Sequence, residues 1–162
     1  MEKQKVFLEI QRYLEQHQIQ ILSKDESRPW GGFFVIDESA AENFIDFFFS
    51  TLDKSQLLNG KISPKILLVE PQKKLSWQYH HRRSEIWKLI QGDASIVRSN
   101  TDEEQDPEKL ILNEIITLEQ GERHRLVGMD QWGIIAEIWM HTDPNHLSDE
   151  NDIVRVKDDF GR

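Results

Sequence analysis

The sequence contains no cysteine. That absence excludes disulfides, thiolate nucleophiles and thiolate metal sites. Any metal must therefore take nitrogen and oxygen ligands, a set suited to a borderline or hard divalent ion. Long apolar runs are also missing. The most apolar patch, FIDFFF at residues 44–49, falls far short of the roughly 20 residues a spanning helix needs. The N-terminal MEKQKVFLEIQRYLEQHQIQIL mixes charged and apolar residues and has no signal-peptide apolar region. Positive charge is in deficit, 20 Lys and Arg against 29 Asp and Glu, for a formal charge of -9. That balance argues against nucleic acid or an anionic membrane as partner but leaves room for a local basic pocket. The expectation is a soluble, cytoplasmic chain of 162 residues forming one domain with a real core.

Two kinds of pattern are present. Phe7, Ile10 and Leu14 recur at helical spacing among Glu, Gln and Lys, which predicts an amphipathic helix packed on its own domain. In RPWGGFFVIDES, Pro29 and Gly31-Gly32 disfavour helix, and GFFVI reads as a strand. Ser39 followed by Glu42 forms the pattern of a capping box, opening a second helix with Phe44, Phe47, Phe48 and Leu52 along one side. From Lys61 onward the pattern changes to short β-runs: KILLVE, LSWQYH, EIWKLI, ASIVRS, LILNEIITLE and GIIAEIWM. Turn residues separate them, and strands at this spacing without intervening helices predict a sandwich or small barrel. The acidic TDEEQDPE reads as a solvated hairpin loop. Ile153, Val154, Val156 and Phe160 are the apolar anchors of a polar tail.

The chemistry concentrates in LSWQYHHRRSEIWKLIQGDA, residues 75–94. Alternation along a strand turns Gln78 and His80 one way, and Trp77, Tyr79 and His81 the other. Glu85 begins the next strand, close enough to return to the same interior. Burying such a set without a partner costs several kcal/mol. In LEQGERHRL, His124 follows a glycine turn and supplies a second imidazole. Gln78, His80, Glu85 and His124 together make a two-nitrogen, two-oxygen shell that leaves positions on a divalent ion for substrate or water. Singly, each residue has a structural reading: a surface or core histidine, or a carboxylate paired with Arg83.

Gln78-x-His80, four residues, Glu85, six residues and Gly92 resembles the first motif of the cupin superfamily, with Gln in place of the usual first His. LEQGERH resembles the second, with Glu119 where Pro is usual. RPWGGF, LSWQYHHRRSEIW, QGDA, GERHRL and DENDIVRVKDDFGR are similar to the cupin domain of type II mannose-6-phosphate isomerases, in consistent order over residues 28–162. Arg82 and Ile86 stand where that family usually has His, and Phe160 where it has Tyr. The guanylyltransferase often fused to that domain does not occur in the sequence, which reads as a stand-alone form.

The resemblance implies a mainly β fold, a cupin-type double-stranded β-helix (jelly-roll) barrel. Residues 1–55 form a helical extension with the RPWGGF strand, and residues 56–162 the barrel core and tail. It also implies aldose–ketose isomerisation of a sugar phosphate and a homodimer. The cofactor is a divalent metal, zinc first, with manganese, iron, cobalt or nickel as alternatives. Lys65, Arg83, Arg125, Arg155 and Arg162 match basic positions of the family and are candidates for clamping the phosphate. Strict alternation turns Arg125 away from His124, and a surface salt bridge to Glu122 or Asp130 is its competing reading. Glu137 is the first choice for general base, with His81 and the carboxylates of DENDIVR as rivals, and Arg125 is grouped with Glu137 as catalytic. Trp30, Trp77 and Trp87 are candidates to wall the sugar pocket. The alternative function is a non-catalytic cupin that binds a sugar phosphate or nucleotide sugar, with an iron oxygenase a distant third.

Overall fold

The computed structural model describes residues 2–161. In chain order the elements are α1 (Lys3–Gln16), β1 (Ile21–Arg28), β2 (Gly31–Ile36), a 3-10 turn (Glu38–Ala40), α2 (Ala41–Phe48) and α3 (Lys54–Leu57). The strands β3 (Lys65–Val69), β4 (Trp77–Tyr79), β5 (Arg83–Gln91), β6 (Ala94–Ser99), β7 (Glu108–Lys109) and β8 (Ile115–Leu118) follow. The last three are β9 (Arg123–Gly128), β10 (Gly133–His141) and β11 (Val154–Lys157). A six-stranded sheet in the order β1-β2-β3-β10-β5-β8 faces a five-stranded one in the order β11-β4-β9-β6-β7, and the pairings are antiparallel. This is the jelly roll of a cupin.

Parity in the six-stranded sheet divides the core. Ile66 and Leu68 of β3, Ile86 of β5, and Ile134, Ala136 and Ile138 of β10 turn outward onto the helices, meeting Phe7, Ile10 and Leu14 of α1 and Phe44 and Phe48 of α2. Leu67, Val69, Trp87, Leu89 and Ile135 turn inward with Ile96 and Leu126 of the second sheet. The turn from β5 to β6 requires glycine at position 92: φ is +76°, and a Cβ there would stand 1.8 Å from the Trp132 carbonyl oxygen.

Several expectations for the first 55 residues are corrected. α1 ends at Gln16, and β1, which no apolar alternation announces, pairs with β2 as the edge of the sheet. Lys3 Nζ pins α1 there by donating to the carbonyls of Glu26, Arg28 and Gly31 at 2.8–3.0 Å. The capping box does not form. Asp37 caps the 3-10 turn instead, accepting from Ser39 N at 2.9 Å, and Glu42 pairs with Lys54. Phe47 is exposed and Leu52 lies beyond α2, whereas Phe49 is fully buried.

The tail is also held differently. Val156 is exposed, and the attachment runs through β11 pairing on β4 and through buried Ser148 and Asp152. Phe160 packs on the inner core and Ile153 lines a cavity as expected, and these hydrogen bonds add to that apolar anchor.

Candidate metal centre

His80 lies just past the end of β4, Glu85 in β5 and His124 in β9; all three are buried, and one ligand atom from each lies within 4.8 Å of the others. Each imidazole is held from its far side. His80 Nδ1 is 2.7 Å from the Asp152 carbonyl oxygen, and His124 Nδ1 is 3.0 Å from that of Glu122. A carbonyl only accepts, so both Nδ1 atoms carry the proton and donate it. Each ring therefore turns its Nε2 toward Glu85, and that of His80 also meets Arg83 Nη2.

His80 Nε2 stands 3.6 Å from Glu85 Oε2, and His124 Nε2 stands 3.2 Å from Glu85 Oε1. Donor atoms about 2.0–2.2 Å from one shared ion stand about 3–3.6 Å apart. Glu85 Oε1 and His124 Nε2 have no hydrogen-bond partner although both are buried. Lone pairs facing lone pairs in a buried site are costly unless a cation lies among them. The donor set fits a divalent ion with nitrogen and oxygen ligands, and second-sphere carbonyls fix both tautomers. Burial lowers the His80 pKa to about 4, with the Glu85 carboxylate opposing, so its ring is neutral at ordinary pH. Burial works against the Glu85 carboxylate, but the Arg83 guanidinium donating to its Oε2 helps hold its pKa well below the usual range.

Gln78 is paired in register with His124 on one side and Arg155 on the other. Its Oε1 accepts from Ser76 Oγ at 2.6 Å. Arg83 is spent on the protein itself. Nε donates to Glu85 Oε2 at 2.8 Å, Nη1 to Ser148 Oγ and the Asp149 carbonyl at 2.9 and 3.1 Å, and Nη2 lies 3.3 Å from His80 Nε2. The guanidinium is also stacked 3.6 Å over Trp139.

A cavity of about 380 Å³ opens beside this group, with Gln78 and Glu85 on its wall. Lys65, Arg28, Arg83 and Arg155 give it four cations; Trp30, Phe33, Trp87 and Trp139 give it aromatic faces. Lys65 Nζ sits 4.3 Å over Trp139 and 5.0 Å over Phe33 and pairs with Glu150. Burial lowers its pKa to about 8, with the Glu137 carboxyl opposing.

Glu137 lines the same cavity from β10. Trp87 Nε1 donates to its Oε2 at 2.8 Å and Trp139 Nε1 to its Oε1 at 2.9 Å. Burial, then the Glu85 carboxylate, raises its pKa to about 7 against the opposing charges of Lys65 and Arg83. Of its rivals, His81 is exposed against Tyr79, and the Asp152 carboxylate is bonded to Ser148 Oγ and to the amides of His81 and Arg82.

The structure does not bring Arg125 to the cavity. β9 alternation turns it to the other face, where it donates to the Leu75 carbonyl at 2.8 Å and pairs with Glu104 and Asp159, rather than with Glu122 or Asp130. Trp77 shares that face, with Nε1 on the Asp102 carbonyl at 2.8 Å, and does not line this cavity. Arg162 lies outside the described residues. Sequence reasoning missed Arg28 and the strapping role of Ser148 to Asp152, and it offered Glu150 as a rival base where the structure pairs it with Lys65. Arg28 opens RPWGGF, but nothing in one strand's pattern indicates a cavity.

Fold and site together define a cupin. The chain belongs to the family described as Mannose-6-phosphate isomerase C-terminal, which matches residues 49–158. It is 28% identical over 137 residues to the Xanthan biosynthesis protein XanB of Xanthomonas campestris pv. campestris, covering 83% of this chain and 23% of that protein. It thus spans under a quarter of that curated relative's length. Among solved structures it resembles the capsular polysaccharide assembling protein CapF of Staphylococcus aureus, with a TM-score of 0.54 at 11% identity over 86% of this chain and 32% of that one. It also resembles vicilin of hazelnut, Corylus avellana, with a TM-score of 0.53 at 18% identity over 78% of this chain and 33% of that one. These two likenesses show the fold alone. No helix among the described residues is long and apolar enough to cross a membrane.

Proposed function

We propose that the protein is a metal-dependent aldose–ketose isomerase acting on a sugar phosphate, of the mannose-6-phosphate type. The observation that carries this reading is a cavity walled by Glu85, whose unpartnered Oε1 faces the unpartnered Nε2 of His124, together with a neutral-range carboxyl at Glu137 and a rim of cations. XanB is by its name a protein of xanthan biosynthesis, which fits a carbohydrate substrate.

His80, Glu85 and His124, with Gln78 beside them, would hold the ion. A bound divalent ion there supplies Lewis acidity toward the sugar's carbonyl and hydroxyl oxygens. Glu137 is the proton carrier. Its carboxylate takes the proton from C2 of the aldose and returns it to C1, while the hydrogen on O2 is exchanged for one on O1, so no atom is gained or lost. A carboxyl poised near neutrality suits both halves of that transfer. Trp87 and Trp139 fix its plane with one N–H on each oxygen. Lys65, Arg28 and Arg155 line the cavity and are the candidates to receive the phosphate, while the Arg83 donors go to Glu85, Ser148, Asp149 and His80.

The test is an isomerisation assay on mannose, glucose and heptose phosphates, with metal content measured and chelator added in parallel. Turnover that disappears with chelator is expected. Metal-loaded protein inactive on every substrate would overturn the enzyme and leave a sugar-phosphate-binding cupin.

A further inference from the structure

The two histidines of the centre are oriented in different ways. His124 donates to Glu122, two residues back along the chain, so its tautomer is set locally. His80 donates to Asp152, 72 residues away, and lies past the last ladder residue of β4, where its carbonyl accepts from Gly121 N at 3.0 Å but its ring is aimed only from a distance in sequence. We propose that Asp152 is a positioning residue for the metal centre, its carbonyl aiming the His80 ring and its carboxylate locking that carbonyl in place. The inference rests on the metal reading above.

The Asp152 side chain is built for this. Oδ1 accepts from His81 N at 2.9 Å; Oδ2 accepts from Arg82 N at 3.0 Å and from Ser148 Oγ at 2.6 Å. The residue is 3% exposed. The amides it binds belong to the two residues directly after His80, so one carboxylate ties the strap to the turn that carries the ligand. Ser148 extends the circuit, accepting from Arg83 Nη1, and Arg83 in turn holds Glu85 Oε2. The strap therefore supports two ligands while supplying none, and metal affinity becomes a property of the segment from Ser148 to Asp152. Partners of this kind are worth about 10- to 100-fold in metal affinity.

The experiment measures Zn²⁺ affinity of the full chain by competition with a chromophoric chelator, for wild type, Asp152→Ala and Asp152→Asn. The alanine variant should bind about 10- to 100-fold more weakly, and the asparagine variant, which keeps one acceptor oxygen, about tenfold. Nitrogen-15 spectra of the metal-free protein supply a readout that mere destabilisation would not move. The His80 Nδ1–H signal should carry a strong hydrogen-bond shift in wild type that relaxes in the variants, while that of His124 stays unchanged. Leu14→Ala, in the outer core, is the control: it should lower stability and leave Zn²⁺ affinity as it was. If the alanine variant does not fold, the asparagine variant decides. Variant affinities within twofold of wild type, with the His80 Nδ1–H signal unaltered, would overturn the role of Asp152 and leave the centre standing. A wild type that binds no Zn²⁺ would overturn the centre itself, and this inference with it.

Discussion

The two faces of the six-stranded sheet are made from alternate residues of the same strands, yet they do different work. On β10, Ile134, Ala136 and Ile138 pack against helices, while Ile135, Glu137 and Trp139 face the barrel. On β5, Ile86 goes outward, and Arg83, Glu85 and Trp87 go inward. The outer face is apolar and sealed by α1 and α2. The inner face buries Lys65, Arg83, Glu85 and Glu137 around a cavity. A two-residue period thus lets one strand bury a core on one side and keep charged chemistry at low dielectric on the other, so neighbouring substitutions should separate stability from function.

The largest effect should come from Glu137→Gln, which removes the proton carrier and should lower turnover about 10²- to 10⁴-fold with metal content preserved. Its neighbour on the opposite face gives the contrast. Ile138→Ala should cost about 2–5 kcal/mol in denaturant unfolding while turnover per folded molecule stays near wild type. Equal losses of turnover from both would dissolve the distinction between the faces.

Arg125→Met tests the same division on the second sheet. It removes the donor to the Leu75 carbonyl and one of two cations from each of Glu104 and Asp159, which keep Lys157 and Lys74, and should cost about 1–3 kcal/mol of stability, with metal affinity and turnover intact. A hundredfold loss of turnover at normal stability would return Arg125 to the site.

The inner face should also be visible in the pH dependence of stability of chelator-treated protein. Glu137 has its pKa raised to about 7, so the stability it contributes is present below its ordinary 4.5 and is lost as pH rises through 7. His80 has its pKa lowered to about 4, so its contribution is present above 6.5 and is lost as pH falls through 4. The two slopes oppose each other between 4.5 and 6.5. Relative to Glu137→Gln, wild type should therefore lose melting temperature as pH rises from 4.5 to 7; parallel curves would contradict the buried carboxyl. The smallest effect expected is that of Glu150→Gln. Removing a half-exposed carboxylate from Lys65 should tighten inhibition by inorganic phosphate about two- to fivefold.

The inner face was the more legible of the two in sequence. Strand parity placed His80 with Gln78, because alternation is a local property of the chain; it also turned Trp77 and Arg125 away, against the expectation that had placed both at the site. Glu85 and His124 followed from motif spacing. What escaped was non-local. β1 is an edge strand wet on both sides, so burial imposes no alternation on ILSKDESR. The strap makes no regular structure at Ser148 and Asp152, and its bonds to Arg83 and the His80 turn span 65 to 72 residues. The capping box failed because Asp37, two residues upstream of Ser39, offered the better acceptor.

The central claim is that His80, Glu85 and His124 form a metal centre, and metal stoichiometry tests it most directly. Protein purified without added chelator, and its Glu85→Gln and His124→Ala variants, would be analysed by plasma mass spectrometry. The account predicts close to one divalent ion per chain in wild type, a loss in both variants, and a lower melting temperature for wild type after chelation. Wild-type protein that carries no divalent ion, takes none up from excess Zn²⁺ or Mn²⁺, and melts identically with and without chelator would contradict it.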